Sequence, residues 1–321
     1  TITREGIEVD AVPYFKMIDD KTGYIVLAKF NAKATEQTKA ALLDLKGKGA
    51  EKIILDLRDN PGGLLSEAIN VTNLFVPKGE LVVTTKSKVK KFNREYHTNN
   101  QPVDENIPLV VLVNGSSASA SEIQALDYWN RDESGNAVRN KTYNDFATRN
   151  GRKVQDGGGI LPDIEVATSK TNDLTLALLQ NNVIFDYATN YFYANKYNSV
   201  TDFKFTDSDF NAFKNHVKKS SFSFETKAEK AIKNALSGDE NDFLGSDVKD
   251  SYKTLLANIE KGKINALDKY QSEIQKNLED EIVKRYFYRD GLYQYYLKND
   301  EAILAATELL GNNSKYNGIL K

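Results

Sequence analysis

The sequence predicts an α/β core with parallel strands up to about residue 166 and an all-α C-terminal domain after it. Three observations carry this. Short apolar runs alternate with amphipathic stretches in the first part, the pattern of strands joined by helices in a layered fold. All six prolines and 13 of the 19 glycines precede residue 167; proline breaks helices and glycine marks turns, so the remainder reads as mostly helix. The aromatics run the other way, with 22 of 33 after residue 166. A length of 321 residues fits two domains better than one.

In chain order, Gly23–Phe30 reads as a strand, and Thr35 is placed as the cap of a helix whose apolar positions Ala41, Leu42 and Leu45 share one face. Gly47-Lys48-Gly49 ends that helix. Lys52–Leu57 is a continuously apolar run of the kind buried on both faces of a parallel sheet. Ser66–Phe75 reads as helix, Leu81–Thr85 as strand and Leu109–Val113 as a further buried strand. Beyond the boundary, amphipathic helices are expected around 174–193, 210–219, 225–236 and 248–308, as a separate domain of packed helices.

Composition narrows the function classes. The 43 basic residues against 45 acidic ones give a net charge of −2, split evenly between the two parts, so no overall attraction to nucleic acid is expected. There is no cysteine, which excludes disulfides, thiolate chemistry and cysteine-based zinc sites. With only His97 and His216, a histidine-built metal centre is not expected either. No stretch approaches the apolar length of a membrane span, and Thr1–Glu5 does not read as a signal peptide.

Active sites of α/β sheets lie where strands end and loops turn into helices. Two such loops stand out. After Leu57 comes Arg58-Asp59-Asn60-Pro61-Gly62-Gly63, whose adjacent glycines let a substrate carbonyl approach backbone N–H groups. After Val113 comes Asn114-Gly115-Ser116-Ser117-Ala118-Ser119-Ala120-Ser121-Glu122, where a serine at a strand-to-helix turn presents its hydroxyl above the sheet. Taken alone, each reads as an ordinary turn or helix cap.

Together, Asp56–Gly63 and Val111–Asn114 with Ser117–Ile123 closely resemble the carboxyl-terminal processing peptidases, tail-specific serine proteases with a Ser–Lys dyad. The resemblance extends upstream through Ile7-Glu8-Val9 and Gly23-Tyr24-Ile25, and resumes at Gly157–Ile164. It implies a ClpP/crotonase-like core, with Ser119 as nucleophile and Gly62 or Gly63 and Ala120 as backbone oxyanion donors. Asp56 and Arg58 then serve as scaffold for the glycine loop. It further implies a peptidase that acts on protein or peptide substrates with unstructured C-termini, needs no cofactor or metal, and works in the periplasm or cell envelope. Homo-oligomerisation stays open.

Two parts of the family pattern are missing. The general-base lysine lies in a Phe-Gly-Lys-Gly context in the family, and this sequence contains no such tetrapeptide. Ser121-Glu122-Ile123 runs instead into Gln124–Trp129, which resembles a much later family segment, so a segment is expected to be missing around 122–125. Thr1–Ile7 resembles the strand that leaves a PDZ domain, and residues 1–20 are expected to be that strand segment without its module. Lys141 and His97 are weaker substitutes for the base: Lys141 lies in a polar stretch with no apolar walls to lower its pKa, and His97 reads as a surface residue beside a strand turn. The other class of function consistent with the pattern is a catalytically inactive peptide-binding or scaffolding relative that kept Ser119 and lost the lysine. The cluster Tyr286-Phe287-Tyr288 with Tyr293, Tyr295 and Tyr296 reads as helix–helix core rather than a peptide-binding surface.

Overall fold

The computed structural model describes residues 9–85, 89, 91, 93–119, 145–147, 151–155, 162–166, 171–220, 222–237 and 245–320. The expected gap at 122–125 lies outside them, as do residues 1–8 of the strand segment expected over 1–20; within the rest of that segment, Tyr14–Met17 is a strand. The chain forms two compact units, residues 1–166 with 296–321, and residues 167–295. The C-terminal helical domain expected to begin at 167 therefore does not keep the last stretch, which joins the core unit.

The first unit begins with β1 (Tyr14–Met17) and β2 (Thr22–Val26), followed by α1 (Ala34–Gly47) and β3 (Lys52–Asp56). Next come α2 (Leu65–Thr72), the hairpin of β4 (Leu81–Thr85) and β5 (Arg94–His97), and β6 (Leu109–Leu112). A short hairpin, β7 (Asp145–Ala147) with β8 (Lys153–Gln155), follows. The main sheet has the order β1-β2-β3-β6. Its β2–β3 and β3–β6 pairs are parallel, whereas β1 is antiparallel to β2, so the sheet is mixed rather than wholly parallel.

The apolar runs explain the layering. Every residue of β2 is buried, as are four of the five in β3, because the strands carry cover on both faces. Leu42 and Leu45 of α1 pack with Ile25, Leu27, Ile53 and Leu55 in one core, each full burial contributing about 1.5–3 kcal/mol. Thr35 is not the cap of α1. The helix starts at Ala34 after Lys33, and both the N–H and the hydroxyl of Thr35 donate to Glu67 Oε2 of α2, at 2.9 and 2.6 Å. A side chain from another helix has taken the place of local capping.

The second unit holds α3 (Asp173–Gln180), α4 (Val183–Ala194), α5 (Asp207–Lys219), α6 (Lys227–Ser237), α7 (Ser246–Lys269) and most of α8 (Gln271–Asn299). The single helix expected over 174–193 is two, broken where Asn182 takes a left-handed φ of 60°. Phe210, Phe213, Leu178, Ile184, Ile274 and Ile282 form its interior. The tyrosine cluster divides. The Tyr286 ring packs on Phe192 and Tyr197, and its hydroxyl donates to the carbonyls of Phe192 and Asn195. Tyr288, in contrast, interrupts α8 with φ 57° and is exposed. His216 is not a plain surface residue either; it is half-buried, edge-on to Tyr187 at 5.6 Å. Among the described residues, no helix is long and apolar enough to cross a membrane.

The last two helices, α9 (Glu301–Gly311) and α10 (Asn313–Ile319), return to the first unit. Helix α9 packs against β3 and β6 and buries Ile303, Ala306, Leu309 and Leu310. From α10, the Tyr316 hydroxyl accepts from Leu109 N–H at 2.9 Å and donates to Leu109 O at 3.1 Å, so it pins the first residue of β6.

Candidate active site

Strands β3 and β6 lie side by side in parallel, so the loops leaving their carboxyl ends are neighbours by construction. Four hydrogen bonds lock those loops together. The Ser117 hydroxyl, fully buried, donates to Leu57 O at 2.7 Å. Ala118 N–H donates to Asn60 O at 3.0 Å. Asn114 bridges to Asp59 in both directions, accepting from its N–H and donating to its carboxylate, each at 3.0 Å. Ser119 follows Ala118 directly. It is exposed and has a φ of 55°, a left-handed conformation uncommon for a residue with a side chain and typical of strained functional turns.

The glycine loop is held just as firmly from within. The Asn60 side chain is fully buried; its Nδ2 donates to Leu27 O at 2.7 Å, and its Oδ1 accepts from Gly62 N–H at 2.8 Å. Phe30 N–H donates to Gly62 O, and Leu64 N–H donates to Phe30 O at 2.7 Å, a parallel bridge centred on Gly63. In such a bridge the central residue turns its own N–H and C=O away from the partner strand. The two glycines therefore differ. The N–H of buried Gly62 is occupied by Asn60, whereas exposed Gly63 presents its N–H on the side away from Phe30.

Beneath the loop lies a charged network. Asp56, buried at the end of β3, accepts from the Tyr24 hydroxyl at 2.6 Å, from Arg58 N–H at 2.9 Å and from Arg58 Nε and Nη2. Arg58 Nη1 donates to both oxygens of Asp300, each at 2.9 Å. Burial pulls the Arg58 pKa down, but the hydrogen bonds and charge of Asp56, with the charge of Asp300, more than reverse this and leave it raised. Burial, reinforced by the Asp56 charge, pushes the Tyr24 hydroxyl far above its ordinary value. The four side chains are thus bonded to one another within the fold, a network that braces the start of the glycine loop.

Of the sequence-predicted site residues, the structure brings the Ser119 loop and the Gly62–Gly63 loop together. Ala120, Lys141 and the helix expected to begin at Ser119 lie outside the described residues. His97 is engaged in the β4–β5 hairpin, with Nδ1 3.2 Å from Gly79 O and Nε2 3.6 Å from Glu95. Sequence reasoning passed over Asn60, Asn114, Ser117 and Asp300. The first three were visible as polar residues in the two loops, but their partners lie 33 to 60 residues away.

Residues 21–161 match the family model described as Peptidase family S41, and residues 174–310 match the one described as Probable PDZ-protease, C-terminal helical domain. This chain is similar to the carboxyl-terminal processing peptidases. A "Probable CtpA-like serine protease" of Staphylococcus aureus is 33% identical over 199 residues, covering 54% of this chain and 39% of that protein. A "Carboxyl-terminal-processing protease" of Synechocystis is 36% identical over 165 residues, covering 50% of this chain and 37% of that protein. The chain thus spans less than two fifths of the length of these processing peptidases. Among solved structures, the photosystem II D1 C-terminal processing protease is similar, at 31% identity with a TM-score of 0.32, covering 37% of this chain and 33% of that one. The helical-domain match ends within α9, so it includes Asp300 and the helix that packs on the core sheet.

Proposed function

We propose that this chain carries the core of a serine peptidase that hydrolyses protein substrates recognised by unstructured C-terminal ends, on a ClpP/crotonase-like scaffold. One observation carries the reading: the two loops are hydrogen-bonded to each other, so that a strained, exposed Ser119 follows directly on the residue bonded to the glycine loop. Ser119 Oγ attacks the scissile carbonyl. The carbonyl oxygen becomes an oxyanion, held by Gly63 N–H and by Ala120 N–H, each well-placed donor supplying roughly 3–4 kcal/mol of transition-state stabilisation. Gly62 then supports the turn through Asn60 instead of donating to substrate. The proton of Ser119 passes to a lysine kept neutral by desolvation, in a segment that this sequence lacks around residues 122–125; the lysine gives it to the leaving amine as the C–N bond breaks, and water then hydrolyses the acyl-enzyme and restores Ser119. The family match and the named relatives support the peptidase; none supports an inactive scaffold. Such peptidases fit the periplasm or cell envelope.

The test has two parts. The gene read across codons 121–126 is expected to encode a Phe-Gly-Lys-Gly segment; a continuous reading there would make the chain a degenerate relative. In the full-length protein, Ser119→Ala is expected to abolish cleavage of an unstructured peptide while changing stability by no more than about 0.5 kcal/mol. Retained cleavage would assign the nucleophile elsewhere.

A further inference from the structure

The proposed reaction needs the Gly63 amide to be held still, and a side chain from outside the first 166 residues, Asp300, grips the start of this loop through Arg58. We propose that Asp300 is a positioning residue for the peptidase site: its carboxylate fixes the Arg58 guanidinium, and with it the turn that presents Gly63 N–H to the substrate carbonyl. This rests on the peptidase reading above and adds a residue that the two loop motifs do not contain.

The geometry is closely determined. Arg58 uses its Nε and Nη2 on Asp56 and its Nη1 on Asp300, so two carboxylates hold the planar group from two sides. The Asp300 side chain is only 8% exposed and that of Asp56 only 5%. Asp300 is held in turn by its own helix. Its Oδ1 accepts from the N–H groups of Ala302 and Ile303, which makes it the N-cap of α9, and α9 is seated on β3 and β6 by Ile303, Leu309 and Leu310. Arg58 is therefore tied to the sheet by Asp56 and to α9 by Asp300, and it stands two residues before Asn60, whose side chain organises Gly62 and whose backbone carbonyl accepts from Ala118 N–H. Two carboxylates against one guanidinium leave one excess negative charge, which Asp300, as N-cap, places at the positive end of α9. Arg58 and Asp300 are 242 residues apart in sequence, so this grip exists only in the completed fold.

The decisive comparison uses the full-length protein with Asp300→Asn and, as a control, Tyr316→Phe. Asparagine still caps α9 but loses the paired, charge-assisted contact with Arg58; Tyr316→Phe removes the two bonds to Leu109 at the start of β6 without touching Arg58 or Asp300. Two readouts are taken at a temperature where all variants are folded: kcat and KM on an unstructured peptide, and hydrogen exchange of the Gly62 amide in glycine-labelled protein. Asp300→Asn is expected to lower kcat about tenfold, short of the hundredfold or more of a lost oxyanion donor, with KM within about twofold. Gly62 exchange should rise about tenfold with it, and Tyr316→Phe should leave both at wild-type values despite a lower melting temperature. Should Asp300→Asn not fold, Arg58→Lys, which keeps the charge and loses the fork, carries the same comparison. Unchanged kcat and exchange in Asp300→Asn would overturn the proposal, and so would a Tyr316→Phe variant that reproduces its losses. A wild-type protein that cleaves nothing, with Gly62 exchange still answering to Asp300→Asn alone, would overturn the peptidase reading and support the mechanical link.

Discussion

At Gly63 a side chain has nowhere to go. A Cβ there would lie 2.2 Å from Phe30 O and 2.7 Å from its carbonyl carbon, both backbone atoms, and the φ of 147° disfavours any L side chain. Gly63→Ala must therefore move the loop. We expect a loss of about 1–3 kcal/mol in stability and at least a hundredfold in peptide cleavage, checked by thermal melting and steady-state rates. Ser117→Ala is the complementary case, since it leaves the backbone conformation free and removes the hydroxyl's buried bond to Leu57 O together with the bond it accepts from Asn114 N–H; about 1–3 kcal/mol of stability should go with it, measured by denaturant titration. Each loop on its own composition reads as an ordinary turn or cap; it is the resemblance of the two motifs taken together that singled out Ser119 and the glycine pair in the sequence. It did not distinguish Gly62 from Gly63. That difference arises from Phe30 and Asn60, and a bridge to a strand's end some thirty residues away leaves no mark in the loop's own composition.

Among the elements, β6, expected to be a buried strand, is buried only at Leu112 and leaves Val111 exposed, whereas β3 was readable because a strand buried on both faces is an apolar run. The start of α1 and the break between α3 and α4 were not. Glu67 satisfies Thr35 across two helices, and Asn182 takes a left-handed turn inside an otherwise continuous apolar pattern. Helix α6 shows local signals that do hold. Thr226 and Glu229 form reciprocal bonds at its first turn, and Glu229 is paired with Lys233 and with Lys263 of α7. The Lys263 hydrogen bond, working against desolvation, lowers the Glu229 carboxyl from 4.5 to about 2. A depressed carboxyl stabilises the fold fully above its unfolded value and loses that contribution as pH falls through the folded one. The α6–α7 pair should thus loosen between about pH 4.5 and about 2, seen as faster amide exchange in α6. In Glu229→Gln that pH dependence should disappear.

For the whole molecule, composition located the change from strand-and-turn to helix near residue 166, since prolines cannot be tolerated in packed helices. It had no means of showing that α9 and α10 rejoin the sheet. Their amphipathic pattern fits helix-on-helix packing as well as helix-on-sheet, and the deciding contacts, Arg58 with Asp300 and Leu109 with Tyr316, are 242 and 207 residues long-range. A chain ending at Tyr295 should consequently lose more than a helical appendage. It would leave the faces of β3 and β6 under α9 uncovered and Arg58 half-paired, and we expect it to bind a dye for exposed apolar surface and to lose the cooperative melting of the first unit. A cooperative, dye-free truncated protein would show that the first 166 residues suffice.

The late arrival of Asp300 also sets a clock on the ribosome. Synthesis proceeds at about 5–20 residues per second, so the 242 residues between Arg58 and Asp300 correspond to roughly 10–50 s in which the glycine loop has emerged without its second carboxylate. A nascent chain paused between residues 119 and 300 would carry both loops but not the clamp beneath the glycine turn. That clamp closes only after every helix of the second unit has been synthesised, so the turn is fixed from outside the sheet later than either loop is made.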